Sequence, residues 1–495
     1  MTALDPARDD LLRAADLYRE AMPSGRLRTF DITPLDRLGV PVVAATFAGA
    51  SGFLNDGFGY GASPEEALVG ALGEISETAH LDEALRRVPV EVASFAEMTA
   101  RHGADRVLDP LTLCLPAGSD HDAATPLAWV GVSRLGDGAA GFAPLDAVAM
   151  APGQWRRRAA GARPLFRPIT CGLGAGSSDA MASAHGVLEL LQRDGNCTTF
   201  RAMDRGVAIA LDAVRDRGLA DLVAGFRAAG LDLQAKLAST EFGLVNLYVQ
   251  GTGAPTSCSL VQTGCGEAVH ADAESALRKA ALEFAASRVR KAFMHGSLDG
   301  VRSVAPEGYL AEYLGLLDLG AEEPRALEEM RRWVATEGGA LVASLRGTVY
   351  AVRETVPLSS LPAQGEALRD PEARLADVAG RLASEGMAVW SFDASPGRDG
   401  PRIRKAVVPG LEGETMSYHR IGERGAARLI ERDAGLVVRE PGEGRARIRL
   451  TAGAEERLGG PVWLDVARVD AIVGTAYPLY REPSSHAVQV AEGRS

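Results

Sequence analysis

Four glutamates stand where their spacing gives them shared chemistry. Glu74 and Glu77 are three residues apart, Glu189 is followed at the same interval by Gln192, and Glu283 lies farther along. Residues three apart on a helix share a face, with Cβ atoms roughly 5–6 Å apart. Each glutamate follows a glycine-rich stretch: Gly57, Gly59 and Gly61; Gly172, Gly174 and Gly176; then Gly264 and Gly266. Gly57 precedes Glu74 by seventeen residues, as Gly172 precedes Glu189 and Gly266 precedes Glu283, which marks an internal repeat. A glycine turn feeding a helix presents N–H groups and the positive end of the helix dipole to an anion, so the three turns are expected to hold phosphates. Carboxylates that converge repel one another unless a hard cation lies between them. Mg²⁺ takes oxygen ligands and is commonly shared with nucleotide phosphates. The alternative reading is that the glycines only permit tight turns and the glutamates line solvated helix faces. Because the acids sit about four turns along their helices, any such site must be assembled between different helices.

The wider set of motifs carries a resemblance. Asp36-Arg37-Leu38-Gly39-Val40-Pro41-Val42-Val43, Pro64-Glu65-Glu66-Ala67 leading to Glu74 and Glu77, and Gly172-Leu173-Gly174-Ala175-Gly176 leading to Glu189-Leu190-Leu191-Gln192-Arg193-Asp194 come in that order. Gly264 to His270 leading to Glu283 and Ser287-Arg288, and finally Val408-Pro409-Gly410-Leu411-Glu412, complete the set. Together they resemble the YcaO family over roughly residues 31–425. The resemblance implies ATP and Mg²⁺ bound between helices and the activation of a peptide backbone amide. It implies metal-coordinating roles for Glu74, Glu77, Glu189 and Glu283, phosphate contacts from Arg193 and Arg288, and a place for Gln192 beside them. Ser177 and Ser178 either donate to phosphate or cap the helix that follows. His270 is expected to cap or pack its turn, and Cys265 to be a buried small residue before it is a sulfur carrier.

Departures from the family pattern shape the functional expectation. Phe58 stands where a basic residue is frequent, Thr78 where an arginine follows the acidic pair, Gln192 where a second glutamate is expected, and Ala286 where a glutamine precedes Ser-Arg. The tail Tyr477-Pro478-Leu479-Tyr480-Arg481-Glu482-Pro483 lacks the alternating prolines of many azoline formers. Thioamide formation, or another reaction with an external nucleophile, is therefore favoured over cyclodehydratase-like azoline formation. The competing reading is a degenerate, non-catalytic scaffold or regulatory subunit of a peptide-modifying complex. The substrate implied is a ribosomal peptide or a protein. About 30 residues precede the first family-like strand, so a separate partner, TfuA-like or other, is expected to deliver it. The missing charge at Gln192 leads to a further expectation, that Gln192→Glu tightens Mg²⁺-dependent ATP binding in a working enzyme.

The elements that must position these residues read as an α/β (α+β) fold, with mixed sheets, packed helices and the repeat built into it. Residues 6–21 read as an amphipathic helix, Val40 to Phe47 as a buried strand, and Ala128 to Val132 as another. Glu322–Thr336 and Leu375–Glu385 read as helices, and Arg398–Arg402 as an exposed loop before a strand at Ala406–Val408. The domain expectation is a helical leader over 1–30 and a YcaO-like domain over 31–495, with a division near 357–369 where Pro, Ser, Gly and Gln accumulate. With 53 basic and 65 acidic residues the chain carries −12, a balance that disfavours general nucleic-acid binding. No run of 18 apolar residues is present, the first 22 residues are too charged for a signal peptide, and five scattered cysteines form no zinc or disulfide pattern. A cytoplasmic location without a membrane partner is expected.

Overall fold

The computed structural model describes residues 6–493 apart from 51, 53, 152–158, 198–203, 254–257, 364–369 and 414–418. Helix α1 (Pro6–Ala21) occupies the span read from its periodicity and buries Ala15 and Tyr18. Strands β1 (Gly25–Asp31), β2 (Val42–Gly49) and β3 (Leu54–Tyr60) follow, then helix α2 (Pro64–Arg87). Next come β4 (Glu91–Ser94), β5 (Pro126–Arg134), β6 (Ala140–Pro144), β7 (Leu173–Gly176) and helix α3 (Asp179–Asn196). The third stretch holds β8 (Val207–Ala210), β9 (Leu231–Ser239), β10 (Val245–Gly253), β11 (Cys265–His270) and helix α4 (Ala273–His295). After it lie β12 (Glu354–Pro357), β13 (Trp390–Asp393) and β14 (Arg402–Val407), and near the C-terminus β15 (Val437–Val438), β16 (Arg445–Arg447) and β17 (Trp463–Asp465).

The three repeat helices start where a side chain can close their free N–H groups. Ser63 accepts from the Glu66 N–H, Ser178 from the Met181 N–H at 3.1 Å, and Asp272 from the Ser275 N–H at 2.8 Å. Each such cap stabilises its helix by about 1 kcal/mol. In α2, Pro64 adds a preset φ in the first turn, and Arg86 and Arg87 complement the dipole at the other end.

Among the described residues the strands form four sheets. Their orders are β1-β2-β3; β11-β10-β9-β8-β12; β4-β5-β13-β14-β7, with β6 on β5; and a small β15-β17-β16 sheet over its own apolar cluster. The glycine strands β3, β7 and β11 are each the edge of a different sheet. Helix α2 packs on β3 and reaches β7, α3 packs on β7 and reaches β11, and α4 packs on β11 and reaches back to β3. The repeat thus closes into a three-part ring, and the helices covering the edges also shield them from pairing with other chains.

The glycines do not form phosphate-binding turns as expected. Gly57, Gly59, Gly174 and Gly176 lie within strands, and so does Gly266. Their role is to let a helix backbone sit against the strand. A Cβ on Gly59 would lie 1.9 Å from the Ala67 carbonyl oxygen, one on Gly174 2.0 Å from that of Ala182, and one on Gly266 2.0 Å from that of Ala280.

Other expectations fare variously. β14 begins at Arg402 and not Ala406, because Arg404 pairs outward with Asp179 and Asp393 while Ile403 points into the core. Helices at Pro324–Ala335 and Pro371–Ser384 match those read from the sequence to within a few residues. β1 spans the expected leader boundary at residue 30, and the proposed division near 357–369 falls partly on 364–369, outside the described residues. Among the described residues no helix is long and apolar enough to cross a membrane.

This packing makes a prediction. Gly59→Ala and Gly174→Ala should each lower unfolding stability by about 1–3 kcal/mol through overpacking, measured by urea denaturation. Gly131→Ala serves as control, since a Cβ at Gly131 in β5 meets nothing within 4 Å. Equal stability for all three variants would contradict the close-contact role.

Candidate active site

The ring brings the carboxylate-bearing helices within electrostatic reach of one another. The Glu74 carboxylate accepts a hydrogen bond from the Phe58 N–H of its own strand, and Glu189 accepts one from the Gly172 N–H at 3.0 Å. Tyr60, on the first repeat's strand, donates its hydroxyl to Glu283 of the third repeat's helix at 3.2 Å. Glu74 is exposed, yet burial pushes its carboxyl up to about 7, with Arg290 opposing the shift and Glu189 and Glu283 adding to it. His185 shows the same combination: exposed, but held down to about 4 by desolvation and by Lys279. Burial also holds Glu77 well above the usual range, reinforced by Glu189 and Glu74, and burial raises Glu283.

The four glutamates do not close into a metal cage. Among the described residues no three His, Cys, Asp or Glu side chains lie close enough to hold one ion. The physical reason is that like charges spread apart, each held by a different neighbour. The oxygen-only donor set still fits Mg²⁺, which is typically bound by one or two carboxylates together with phosphate oxygens and water.

Gln192 has a partner that its helix did not reveal. Its side-chain amide donates to Glu267 on β11 at 3.3 Å, and it is buried at 5% exposure. Arg193 pairs with the same Glu267 at 2.8 Å and stands 3.6 Å from Glu189. A carboxylate of the neighbouring strand thus lies against the position where α3 carries an amide. A second carboxylate at position 192 would face Glu267, a repulsion in the free protein that the expectation for Gln192→Glu leaves out.

Arg288 is the clearest correction. Its guanidinium binds Asp36 at 2.7 and 3.1 Å and the Val261 carbonyl at 3.1 Å, and at 1% exposure it is turned into the protein and neutralised by Asp36 instead of facing a phosphate. Arg290, two residues on, lies outside the motifs that carry the resemblance, yet Glu74, Glu283 and Tyr60 all feel its charge. The signal was available: Arg290 is seven residues after Glu283, nearly two full helical turns. Ser178 acts as the helix cap, with its hydroxyl hydrogen left to donate, and Ser177 is exposed beside it.

The other departures serve packing. Phe58 and Ala286 belong to one apolar cluster with Val289 and Phe293, the Phe58 and Phe293 rings lying 5.9 Å apart. Thr78 accepts from Asn55 at 2.7 Å and donates to backbone carbonyls of its own helix. His270 caps its turn by accepting from the Asp272 N–H at 2.9 Å. Burial, with Glu267 and Glu283 nearby, pushes the Cys265 thiol well above its ordinary value, so it is poorly suited to act as a thiolate.

Two stability predictions follow from these contacts. The folded-state Glu74 carboxyl titrates at about 7, above its ordinary value, so its stabilising share is full below about pH 4.5 and is lost as pH rises through 7. The melting temperature of metal-free protein should therefore fall between pH 5.5 and 8 at fixed ionic strength. Glu74→Gln should flatten that slope and raise the value at pH 8; an identical slope would contradict the assignment. Gln192→Glu should lower the melting temperature by several degrees, roughly 1–3 kcal/mol for an uncompensated buried polar contact. The charge-swapped pair Gln192→Glu with Glu267→Gln should recover most of it.

The comparisons with known proteins bear on the same residues. A family described as YcaO cyclodehydratase, ATP- and Mg²⁺-binding, matches residues 58–412. A protein of Methanothermobacter thermautotrophicus with no assigned activity is 28% identical over 280 residues, 55% of this chain and 67% of its own length. The fold is similar to that of YcaO from Methanopyrus kandleri bound with AMPPCP and Mg²⁺, at 17% identity and a TM-score of 0.55, covering 84% of this chain and 93% of that one. It is also similar to a heterocyclase in complex with substrate and cofactor, at 17% identity and a TM-score of 0.57, covering 81% of this chain; this chain spans about half of that heterocyclase, 52% of its length. With the family match extending over more than half of its residues and enclosing all three acidic helices, this chain belongs to the YcaO family, whose members bind ATP and Mg²⁺.

Proposed function

We propose that this chain uses ATP and Mg²⁺ to activate the backbone amide of a ribosomal peptide or a protein, with a thioamide or another external-nucleophile product ahead of an azoline. The observation that supports this reading is the electrostatic proximity of Glu74, Glu189 and Glu283, carried on three different helices, with Arg193 and Lys279 alongside. Bound there, ATP supplies the phosphoryl group that turns an amide oxygen into a leaving group. The chain's own part is positioning and charge balance, where preorganised charges act most strongly because they need not reorganise.

Glu74, Glu77, Glu189 and Glu283 would hold Mg²⁺ through carboxylate oxygens, with the Phe58 and Gly172 N–H groups and the Tyr60 hydroxyl fixing three of them. Arg193 would keep Glu189 and Glu267 from repelling what enters beside them, and Ser177 and Ser178 would donate from the head of α3. Support for an external sulfur source comes from the cysteines: burial raises the thiols of Cys171, Cys258 and Cys265. A separate partner, TfuA-like or other, would deliver the peptide. The scaffold reading rested on Phe58, Thr78, Gln192 and Ala286, and each of these has a packing role or a compensating neighbour.

Titration calorimetry tests the reading. Wild-type protein should bind ATP only when Mg²⁺ is present, and Glu189→Gln should abolish that heat while still unfolding cooperatively. No heat from the wild type at millimolar nucleotide would overturn the enzyme reading. Given a candidate peptide, mass spectrometry should show sulfur-for-oxygen exchange; loss of water would mean azoline formation instead.

A further inference from the structure

The cations around the cleft differ in how their donors are used. Arg193 is bound by Glu267 and Glu189, Arg288 by Asp36 and Val261, and Lys291 by Glu482. Lys405, behind the cleft, donates to the Ile169 and Cys171 carbonyls. Lys279 and Arg290 are unlike these, and of the two it is Arg290 that has a buried donor without a partner. Among the described residues it forms no ion pair or hydrogen bond, and its Nε is buried without a partner. A desolvated donor left unmatched is unfavourable, the more so on a charged group.

The acids near Arg290 are already engaged. Glu74 is held by the Phe58 N–H, Glu283 by the Tyr60 hydroxyl, and Glu482 by Lys291 on one oxygen and His295 on the other. They surround the guanidinium without claiming it. The helix period places Arg290 within about 20° of the Glu283 direction, whereas Arg288 points some 140° away, toward Asp36. Arg290 thus presents its donors on the side of α4 that carries Glu283. The family pattern has an arginine after the acidic pair of α2, where this chain has Thr78 turned into its own helix.

We propose that Arg290 is a phosphate-binding residue of the nucleotide cleft, supplying from α4 the guanidinium that α2 lacks at Thr78. A planar guanidinium fork matches two phosphate oxygens at once, a geometry that lysine cannot reproduce. The surrounding carboxylates keep it oriented but unpaired until an anion arrives with its metal. This inference rests on the proposed ATP- and Mg²⁺-dependent function.

The test compares wild type, Arg290→Met and Arg290→Lys by calorimetry with ATP and Mg²⁺, and by thermal melting without ligand. Arg290→Met keeps the apolar stem and should weaken ATP binding about tenfold or more, the loss of one charge-assisted contact. Arg290→Lys should recover only part of that affinity. Because the guanidinium has no hydrogen-bonded partner in the free protein, and its unmatched buried donor offsets its attraction to Glu74 and Glu283, the melting temperature of Arg290→Met should change little. Wild-type binding with equal affinity in Arg290→Met would overturn this assignment alone, as would a melting temperature lowered by several degrees in both variants. A wild type that does not bind ATP at all would overturn the functional reading together with it.

Discussion

A methyl group on Gly59, Gly174 or Gly266 would lie within about 2 Å of a helix carbonyl oxygen, and this one steric fact sets the geometry of the molecule. Helix backbones can lie that close only where the strand has no side chain. Each helix then also touches the edge strand of a neighbouring sheet, so three strand–helix units close on one another instead of stacking in a line. The carboxylates lie well along their helices, so closing the ring brings acids from distant parts of the chain within electrostatic reach of one another. The same closure lets one repeat serve the next: Glu77 meets the Ala175 backbone, Gln192 meets Glu267, and Glu283 meets Tyr60.

Gathering acids in this way works against folding, and the local chemistry shows how the opposition is contained. Backbone N–H groups and a tyrosine hydroxyl hold individual carboxylates, and Arg193 neutralises a pair of them. Even so, Glu74, Glu77 and Glu283 all resist ionisation. A site under this tension gains from any hard cation that enters it.

Much of this was legible in the sequence, because periodicity and capping are local. The α1 helix, the Ser178 cap, the ordered motifs and the repeat itself all follow from residues near one another in the chain. The failures were of two kinds. A glycine that accommodates a helix under a strand looks the same in sequence as one that turns around a phosphate, so Gly59 and Gly174 were assigned the wrong task. The second kind involved partners far along the chain: Asp36 claims Arg288 from 252 residues away, and Glu267 satisfies Gln192 from 75. Neither pairing leaves a local trace. Phe58 and Ala286 looked like losses from a site, yet they are neighbours in one apolar cluster that only the ring assembles.

The most direct measurement is a crystal structure with a non-hydrolysable ATP analogue and Mg²⁺. The ring account predicts the triphosphate between α2, α3 and α4, with the metal bound by oxygens of at least two of Glu74, Glu77, Glu189 and Glu283 that belong to different helices. Analogue bound elsewhere on the protein, or metal held by a single helix, would contradict it.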